Sequence, residues 1–445
     1  PLSDAVGSDS RLLEHRTPSE RVRRVAPWLT LDDDVYPTVV DGRIQWVVDG
    51  YTTSQNYPYS TAFSMSGVQS GQVSSVQTQQ ASSLVGDRIN YMRNSVKATV
   101  DAYDGTVKLY TWDESDPIVS AWDKAFPGLL TPKEEISGDL MSHLRYPEDL
   151  FRMQRAVLAD YHVTSAADFR AGQDRWRVPD DPSRGNDGVA QPPYFLSLAM
   201  PDQEQPAWSL TSTYIPRGTR NVMAGYLAVD ADAGSVKGTP ASDYGQLRLL
   251  SVPRNTTVPG VGQVQNDIVS SNATSGDGSQ TLTDYLNNAN RGGSQVSYGN
   301  QLALPVGEGF LHVEPIYLSS ASGTSYPQLR IVIVTFGGKV AWAQDLETAL
   351  DELFGGDAGV TAEGKPSGEP TKKPKEPDEP KNLSADDKKL RQAIAGMQKA
   401  YKDGQDALKK GDFAAYDEAQ KELKKQLEEA AKVQPGGGSA DLDAG

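Results

Sequence analysis

The densest group of titratable side chains in the sequence surrounds one histidine, His143, with Asp139 and Glu148 as acidic neighbours. An imidazole beside carboxylates can bind a metal ion or exchange protons with a substrate. The same carboxylates can instead cap helices and form ion pairs with Arg145 and Arg152, because structural networks also gather charge. The sequence favours the second interpretation and leaves Asp139, His143 and Glu148 as the candidate catalytic residues. The group also contains Glu134, Glu135 and Asp149.

Four aromatic side chains surround the first predicted hairpin and are the candidate binding residues: Trp46, Tyr51, Tyr57 and Tyr59. Aromatic rings of this kind can stack on a glycan or a peptide. Aromatic residues in strands more often pack against a neighbouring strand, so core packing is the alternative.

Two short acidic runs could hold a hard cation. The run at 230–232 begins like a calcium loop, but Ser235 stands where the loop needs glycine and Ala241 where it needs a closing carboxylate. The run at 32–34 consists of three aspartates, which are typical of a solvated acidic turn before a strand. We therefore predict turns at both places and no metal site.

Signatures of several enzyme classes are absent from the sequence. The chain has no cysteine, which excludes disulfides, thiolate catalysis and cysteine-ligated metals. It has no G-x-S-x-G elbow and no phosphate-binding loop, and the glycine pair at 260–262 lacks the third glycine of a dinucleotide fingerprint. The sequence therefore specifies no reaction and no cofactor.

Length and charge limit the partners. The chain has 445 residues, enough for two to four domains at roughly 100–200 residues each, and a formal net charge of −16. This charge repels polyanions, so no nucleic-acid partner is expected.

No apolar run approaches the roughly 20 residues that cross a bilayer. Because the chain starts at Pro1 without a signal peptide, we expect it to be part of a longer protein.

Local signals predict a mixed region at 1–180. Thr17 and Glu20 form a capping box that starts a helix. The Asp-Gly pairs at 41–42 and 104–105 each predict a hairpin, because this dipeptide readily adopts the positive φ angles of a tight turn. Residues 64–83, rich in Ser, Gln and Gly, are predicted to form a long mobile loop.

The rest of the chain divides into further segments. Residues 117–176 are predicted to be mostly helical, and residues 190–355 form a strand-rich region that packs with the first. Prolines interleaved with Lys and Glu predict a disordered linker at 356–383. Apolar residues at helical spacing predict a helical hairpin at 384–433, and a tail follows at 434–445. The predicted fold class is α+β.

Several ordered stretches resemble a large, uncharacterised bacterial membrane-protein family, UPF0182, common in actinobacteria. They are VAPWLT at 25–30, VDGR at 40–43, VDGYTT at 48–53, NSVKATVDAYDG at 94–105, GDL at 138–140 and RYPEDLF at 145–151. The resemblance implies a soluble region that follows a transmembrane bundle in the same polypeptide, on the extracytoplasmic side of the cell membrane. The family has no established activity, so no catalytic residue is carried over.

Three functional hypotheses follow. The first is a non-catalytic binding or scaffolding domain of the cell envelope, with a glycan, lipid or protein ligand. The second is an enzyme that acts on an envelope polymer through carboxylates at 134–149, which would have to face a common cleft roughly 5–9.5 Å apart. The third is an adaptor that recruits a partner through the hairpin at 384–433. The sequence does not give the oligomeric state.

Overall fold

The computed structural model describes residues 14–71, 87–184, 188–201, 203–253, 255–275, 278, 280–291, 294–320, 326–356 and 358, and positions 399, 415, 418, 421, 422, 424 and 425. The chain divides into two compact units, Pro1–Pro366 and Ser367–Gly445. In the second unit the single described positions are helical. Otherwise the hairpin predicted at 384–433 lies outside the described residues, as do the tail and nearly all of the predicted linker.

The first unit has an α+β fold, as predicted. In its described part, three five-stranded antiparallel sheets follow one another along the chain, and helices lie between and after them. The elements around the first sheet are α1 (Pro18–Val25), β1 (Thr30–Leu31), β2 (Tyr36–Val40), β3 (Arg43–Ser54), β4 (Phe63–Ser64), α2 (Met65–Gln69), β5 (Arg88–Ile89), β6 (Tyr91–Asp101) and β7 (Val107–Thr111).

The second sheet follows a helical segment, as expected from residues 117–176. The elements here are α3 (Pro117–Ala125), α4 (Gly138–Met141), α5 (Glu148–Tyr161), α6 (Ala166–Ala171), β8 (Trp176–Arg177), β9 (Tyr194–Leu198), β10 (Ala207–Pro216), β11 (Gly225–Asp230) and β12 (Leu247–Ser251), with 3₁₀ turns at Lys133–Glu135 and Pro182–Arg184. The third sheet and its helices are α7 (Val261–Val269), α8 (Leu282–Arg291), β13 (Ser294–Tyr298), β14 (Leu302–Val306), β15 (Gly309–Ser320), β16 (Gln328–Phe336), β17 (Lys339–Ala343) and α9 (Leu346–Phe354).

The local signals of the first region are confirmed. The Thr17 side chain accepts from the backbone N–H of Glu20, and the Glu20 carboxylate accepts from the backbone N–H of Thr17 at 3.0 Å, which completes the capping box of α1. Strands β2 and β3 pair across residues 41–42, and β6 and β7 pair across the turn that contains Gly105, which has a φ of +73°. Both hairpins therefore form where the sequence predicts them.

The loop predicted at 64–83 is wrong at its start. Strand β4 pairs with β5, and α2 follows it with Met65 and Val68 buried against the Tyr51 side of β3. Two apolar residues three positions apart are enough to fix one helical turn, and Ser64 caps it by accepting from the backbone N–H of Gly67. Residues 72–86 lie outside the described part of the chain.

A β-bulge interrupts the longest strand pair. Gly50 of β3 lies opposite Val96 of β6, whereas Tyr51 lies opposite Asn94, so Ser95 is an extra residue in β6. An extra residue exchanges the two faces of a strand. As a result Val96 packs into the core beneath α1, while Asn94 lies on the face that carries Lys97.

Helices cover both faces of the third sheet. Helices α7 and α8 pack on one face around Ile331 and Ile333, and α9 packs on the other around Val332 and Val334. This explains why the middle of β16 is a continuous apolar run rather than an alternating one.

Candidate functional site

The candidate catalytic residues have separate structural partners. His143 and Asp139 are both exposed, with 4.0 Å between Nε2 and Oδ1. Asp139 also accepts from the backbone N–H of Asp41 at 2.7 Å. Glu148 pairs with Arg152 one turn further along α5. Asp139 thus accepts a hydrogen bond from a turn, and Glu148 is the partner of an arginine. Both roles are those of carboxylates that cap backbone groups and form ion pairs.

The candidate binding aromatics occupy different environments. Trp46 packs against the core beneath the first sheet, and Tyr51 is fully buried. Tyr57 is half exposed and stacks on Tyr91 with 5.8 Å between ring centroids. Tyr59 is fully exposed at a turn, with a φ of +57°. Tyr57 reaches the groove described below through Tyr91, which borders it, and Tyr51 packs in the same buried cluster as Phe63 and Met153, which also line it.

The expectation of a solvated turn at 32–34 is wrong for Asp32, whereas Asp33 is exposed and Asp34 is partly exposed. Asp32 is buried, and its carboxylate accepts from the Tyr51 hydroxyl and from the backbone N–H of Asp34 (2.7 Å) and Asp149 (3.0 Å). Asp149 in turn accepts from the backbone N–H of Asp33 at 3.1 Å. The Asp32 carboxylate thus accepts from the backbone of Asp149, and the Asp149 carboxylate accepts from the backbone next to Asp32. These two hydrogen bonds join the first sheet to the start of α5.

Burial governs the protonation of this capping pair. The loss of hydration, with the nearby charges of Asp149 and Asp49, raises the pKa of Asp32 to about 8, although the hydrogen bond from Tyr51 opposes the shift. Burial also raises the pKa of Asp149.

Among the residues that the structure describes, no group of three or more His, Asp or Glu is placed to hold a metal ion.

A buried ion pair lies beside this network. Lys97 and Asp49 are 2.5 Å apart (Nζ to Oδ1), and their side chains are 1% and 2% exposed. The ammonium also donates to the backbone carbonyl of Arg145 at 2.9 Å and to the hydroxyl of Tyr244 at 3.3 Å. The rings of Trp112 and Tyr244 lie 5.2 and 5.9 Å from it. Lys97 is thus fully engaged, which is the arrangement of a structural lysine.

An apolar cavity of about 390 Å³ lies where α5 crosses between the first and second sheets. Side chains from β5, β6, α5 and β11 form its walls. Its apolar lining includes Phe63, Ile89, Met92, Met153, Val157 and Leu227. Because Phe63, Ile89, Met153 and Leu227 are buried in the packed core, the cavity is preformed.

A second cavity of about 600 Å³ lies beside the first, and its lining is mixed, with charged and amide side chains among apolar ones. The two cavities share Met92, Leu150 and Gln154, and together we call them the groove. The charged and amide side chains that line this second cavity, the polar half of the groove, are Arg93, Asn94, Asp113, Glu114, Lys133 and Gln154. The groove therefore places an apolar cavity beside one whose lining carries charged side chains.

The polar half contains neutral hydrogen-bonding groups as well. The Tyr146 hydroxyl donates to Gln154 Oε1 at 2.9 Å, and burial raises the pKa of Tyr146, which keeps the phenol neutral. Arg93 is paired with Asp113 at 2.5 Å. This chemistry suits recognition of a ligand by charge and hydrogen bonds.

A second buried polar cluster lies on the third sheet. Glu314 is fully buried, and the loss of hydration raises its pKa to about 8, while burial lowers the pKa of His312 to about 4. The Gln265 amide lies within hydrogen-bond distance of the Glu314 carboxyl, and Gln301 contacts Gln265. A protonated Glu314 can donate to the Gln265 amide oxygen.

Sequence reasoning missed this cluster and the groove. For the cluster a signal exists: β15 alternates, and Phe310, His312, Glu314 and Ile316 occupy its buried positions. A histidine and a glutamate on the apolar face of an alternating strand indicate a buried polar pair. For the groove the sequence holds no such local signal, because its walls come from residues far apart in the chain.

Fold and groove define an α+β domain in which three antiparallel sheets follow one another and a groove opens between the first two. The chain belongs to the uncharacterised protein family UPF0182, whose profile matches residues 1–280. The resemblance seen in the sequence is thereby confirmed.

The similar proteins are mostly actinobacterial. A UPF0182 protein of Paenarthrobacter aurescens is 48% identical over 456 residues, which cover 100% of this chain and 43% of the relative. Those of Streptomyces coelicolor and Bifidobacterium longum are each 45% identical, covering 100% and 97% of this chain and 42% and 41% of the relatives. The chain thus spans about two fifths of the length of these proteins. No solved structure matches it significantly. In its described part, no helix combines the length and apolarity needed to span a membrane.

Proposed function

We propose that this chain is the extracytoplasmic region of a multi-pass membrane protein of the cell membrane, and that it binds a component of the cell envelope in the groove without catalysing a reaction. The observation that carries the proposal is the groove itself, in which an apolar cavity lies beside one whose lining carries charged side chains. A transmembrane bundle in the same polypeptide would be its partner, and the greater length of the relatives leaves room for one.

Binding is favoured over catalysis by the state of the charged groups. Arg93 is paired with Asp113 in the polar half, and Lys97 behind it has three partners. Glu148 and Asp149, the acidic residues at the start of α5, both pair with Arg152. A general acid or base needs a carboxylate that is aimed at the substrate. The carboxylates of Asp113, Glu148 and Asp149 are instead held by neighbouring arginines.

The side of the membrane can be tested in the full-length protein. A protease recognition sequence inserted at Gly307 would lie in the tight turn between β14 and β15, where a built Cβ has nothing within 4 Å. We expect protease added to cells stripped of their wall to cut this site, and protease added to inside-out vesicles to leave it intact. The reverse pattern would place the region in the cytoplasm.

Ligand occupancy can be tested in the same cells by photo-crosslinking. A photoreactive amino acid at Val157 would face the groove, and one at Val269, half exposed on α7, serves as a control outside it. We expect a non-protein adduct at position 157 that is absent at position 269. Equal labelling at both positions would refute a groove ligand.

A further inference from the structure

We propose that the outer edge of β17 is a docking site for an extended peptide segment of another protein, which carries a basic side chain near its middle and joins the third sheet as an additional strand. The cavities beside this edge share no lining residue with the groove. The inference therefore goes beyond the proposed function and can be tested without it.

The outer edge of β17 carries backbone groups that no strand pairs with. The two glycines of the turn at 337–338 have φ angles of +57° and +79°, so Phe336 and Lys339 beside them form a hydrogen-bonded pair. Because such pairs alternate along an antiparallel ladder, the N–H and C=O groups of Val340 and Trp342 point away from β16. Among the described residues, none of these four groups has a hydrogen-bond partner.

An open edge of this kind is unusual, because proteins generally cover or interrupt edges that could pair with other chains. The first sheet covers the edge of β7 with Thr131, whose N–H donates to the carbonyl of Leu109 at 2.7 Å and whose carbonyl accepts from the N–H of Thr111 at 2.9 Å. Strand β17 contains no proline and no bulge, and only Lys339 at its start is charged. Its edge therefore remains available for pairing.

The flanking helices leave room for one strand. Helices α7 and α8 pack on one face of the third sheet and α9 on the other. A cavity of about 690 Å³ lies along residues 339–341 of β17, between Ser270 behind α7 and Glu352 of α9. Another of about 740 Å³ lies at the end of β17, between Tyr285 of α8 and Thr348 of α9. A second copy of this chain would bring its own helices against these walls, whereas a single extended segment would not.

The charges of the walls favour a basic side chain. Asp267 near the end of α7 and Glu352 of α9 line the first cavity from opposite faces of the sheet. Asp267 accepts from the neutral amide of Gln263 at 2.9 Å and forms no ion pair within the described part of the chain. Lys339 lies beside the turn, at one end of the edge. A Lys or Arg near the middle of the added strand would lie between two carboxylates, which stabilises it there.

The first test is hydrogen exchange of the full 445-residue chain with a synthetic peptide, acetyl-Thr-Val-Thr-Lys-Thr-Val-Thr-amide, whose residue types favour strands. At 1 mM peptide we expect the amides of Val340 and Trp342 to exchange about tenfold more slowly, which corresponds to a dissociation constant of about 0.1 mM. The amides of Ala341 and Ala343 already donate to β16 and should change little. Absence of protection at Val340 and Trp342, or equal protection throughout the sheet, would overturn the inference.

N-methylated peptides test whether the backbone is what binds. The amides of an extended strand alternate between its two edges, and only one edge can pair with β17. Methyl groups on every second amide block one edge, so at least one of the two such peptides should keep its affinity within about threefold. Methyl groups on every amide block both edges and should weaken binding at least about tenfold. Undiminished binding of the fully methylated peptide would refute strand addition.

Substitutions test the choice of a basic side chain. Glu in place of the central Lys of the peptide should weaken binding at least about tenfold, because it faces two carboxylates. Asp267→Asn should weaken the Lys peptide about threefold and leave a peptide with central Leu unchanged. Asp123→Asn, the same change at an exposed position of α3, is the matched control and should alter neither. Equal affinities of the Lys, Leu and Glu peptides would overturn the basic preference.

The same measurements identify the other possible occupant. Protection of Val340 and Trp342 that appears without peptide and grows with protein concentration would show that the edge pairs with a second copy of this chain, and would overturn a peptide partner. Labelling at position 157 in cells reports on the groove alone, so the failure of either proposal can be recognised independently.

Discussion

Replacing Lys97 by methionine should be among the most damaging single changes in the first unit. Methionine keeps roughly the length and apolar volume of lysine but removes the ammonium. Asp49 would then remain buried with the amide of Asn94 as a donor, and the carbonyl of Arg145 would lose its hydrogen bond from Nζ. An uncompensated buried carboxylate is the main cause of the expected loss.

The magnitude follows from the burial of the pair. Because the side chains of Lys97 and Asp49 are 1% and 2% exposed, water cannot replace the missing partner. Breaking a buried pair of this kind costs about 3–5 kcal/mol of the free energy of unfolding. That is a large share of the roughly 5–15 kcal/mol that stabilises a typical domain. Salt should hardly change the loss, since buried charges are little screened.

Urea denaturation followed by tryptophan fluorescence measures this loss, in a double-mutant cycle with Asp49→Asn. Removing both charges leaves neither ion alone, so the double variant should recover at least about 2 kcal/mol relative to the sum of the single variants. The control is Arg177→Met, which breaks the exposed pair with Asp180 and should cost less than about 1 kcal/mol.

Two results would refute the reasoning. A loss below about 1 kcal/mol for Lys97→Met would show that the pair is hydrated in solution. Strictly additive losses in the cycle would show that the ammonium and the carboxylate do not stabilise each other, and the damage would then come from packing alone.

Two further predictions concern stability. Burial raises the pKa of Glu314 from 4.5 to about 8, so between these pH values the folded chain holds a proton that the unfolded chain has lost. Stability should therefore fall as pH rises through this window, and Glu314→Gln should remove a share of that fall of about 3–4 kcal/mol in urea titrations at pH 5 and 8; an unchanged slope would show an ionised Glu314. Gly238→Ala and Gly42→Ala both place a side chain at positive φ, but only at Gly238 would the Cβ lie 2.6 Å from the backbone of Glu134. Gly42→Ala should cost about 1 kcal/mol and Gly238→Ala more than about 2 kcal/mol in thermal melts, and equal costs would contradict the steric argument.

The parts of the fold that the sequence predicted are those set by neighbouring residues. A capping box needs only Thr17 and Glu20, and a tight hairpin needs only an Asp-Gly pair between two strands. The α+β class follows from such signals taken together. The order of the strands within each sheet is not encoded locally and was not predicted.

The groove could not be predicted because its walls converge from distant positions. Met92 of β6 and Leu227 of β11 line one chamber although more than a hundred residues separate them in the sequence. The bulge at Ser95 also decides which face of β6 Met92 and Asn94 occupy, and an extra residue in one strand is visible only once its partner strand is known. The burial of Asp32 could not be predicted for a related reason. It depends on contacts with Tyr51 and Asp149, which lie far from Asp32 in the sequence.

The succession of the sheets along the chain has a consequence for folding during synthesis. The strands of the first sheet all lie within residues 30–111, so this sheet can form before the second has left the ribosome. Lys97 and Asp49 would then meet while still hydrated, because the Tyr244 hydroxyl that helps to enclose the ammonium lies 147 residues further along the chain. Expulsion of water from the ion pair is therefore expected to be a late event, and the polar half of the groove takes its final shape only at that step.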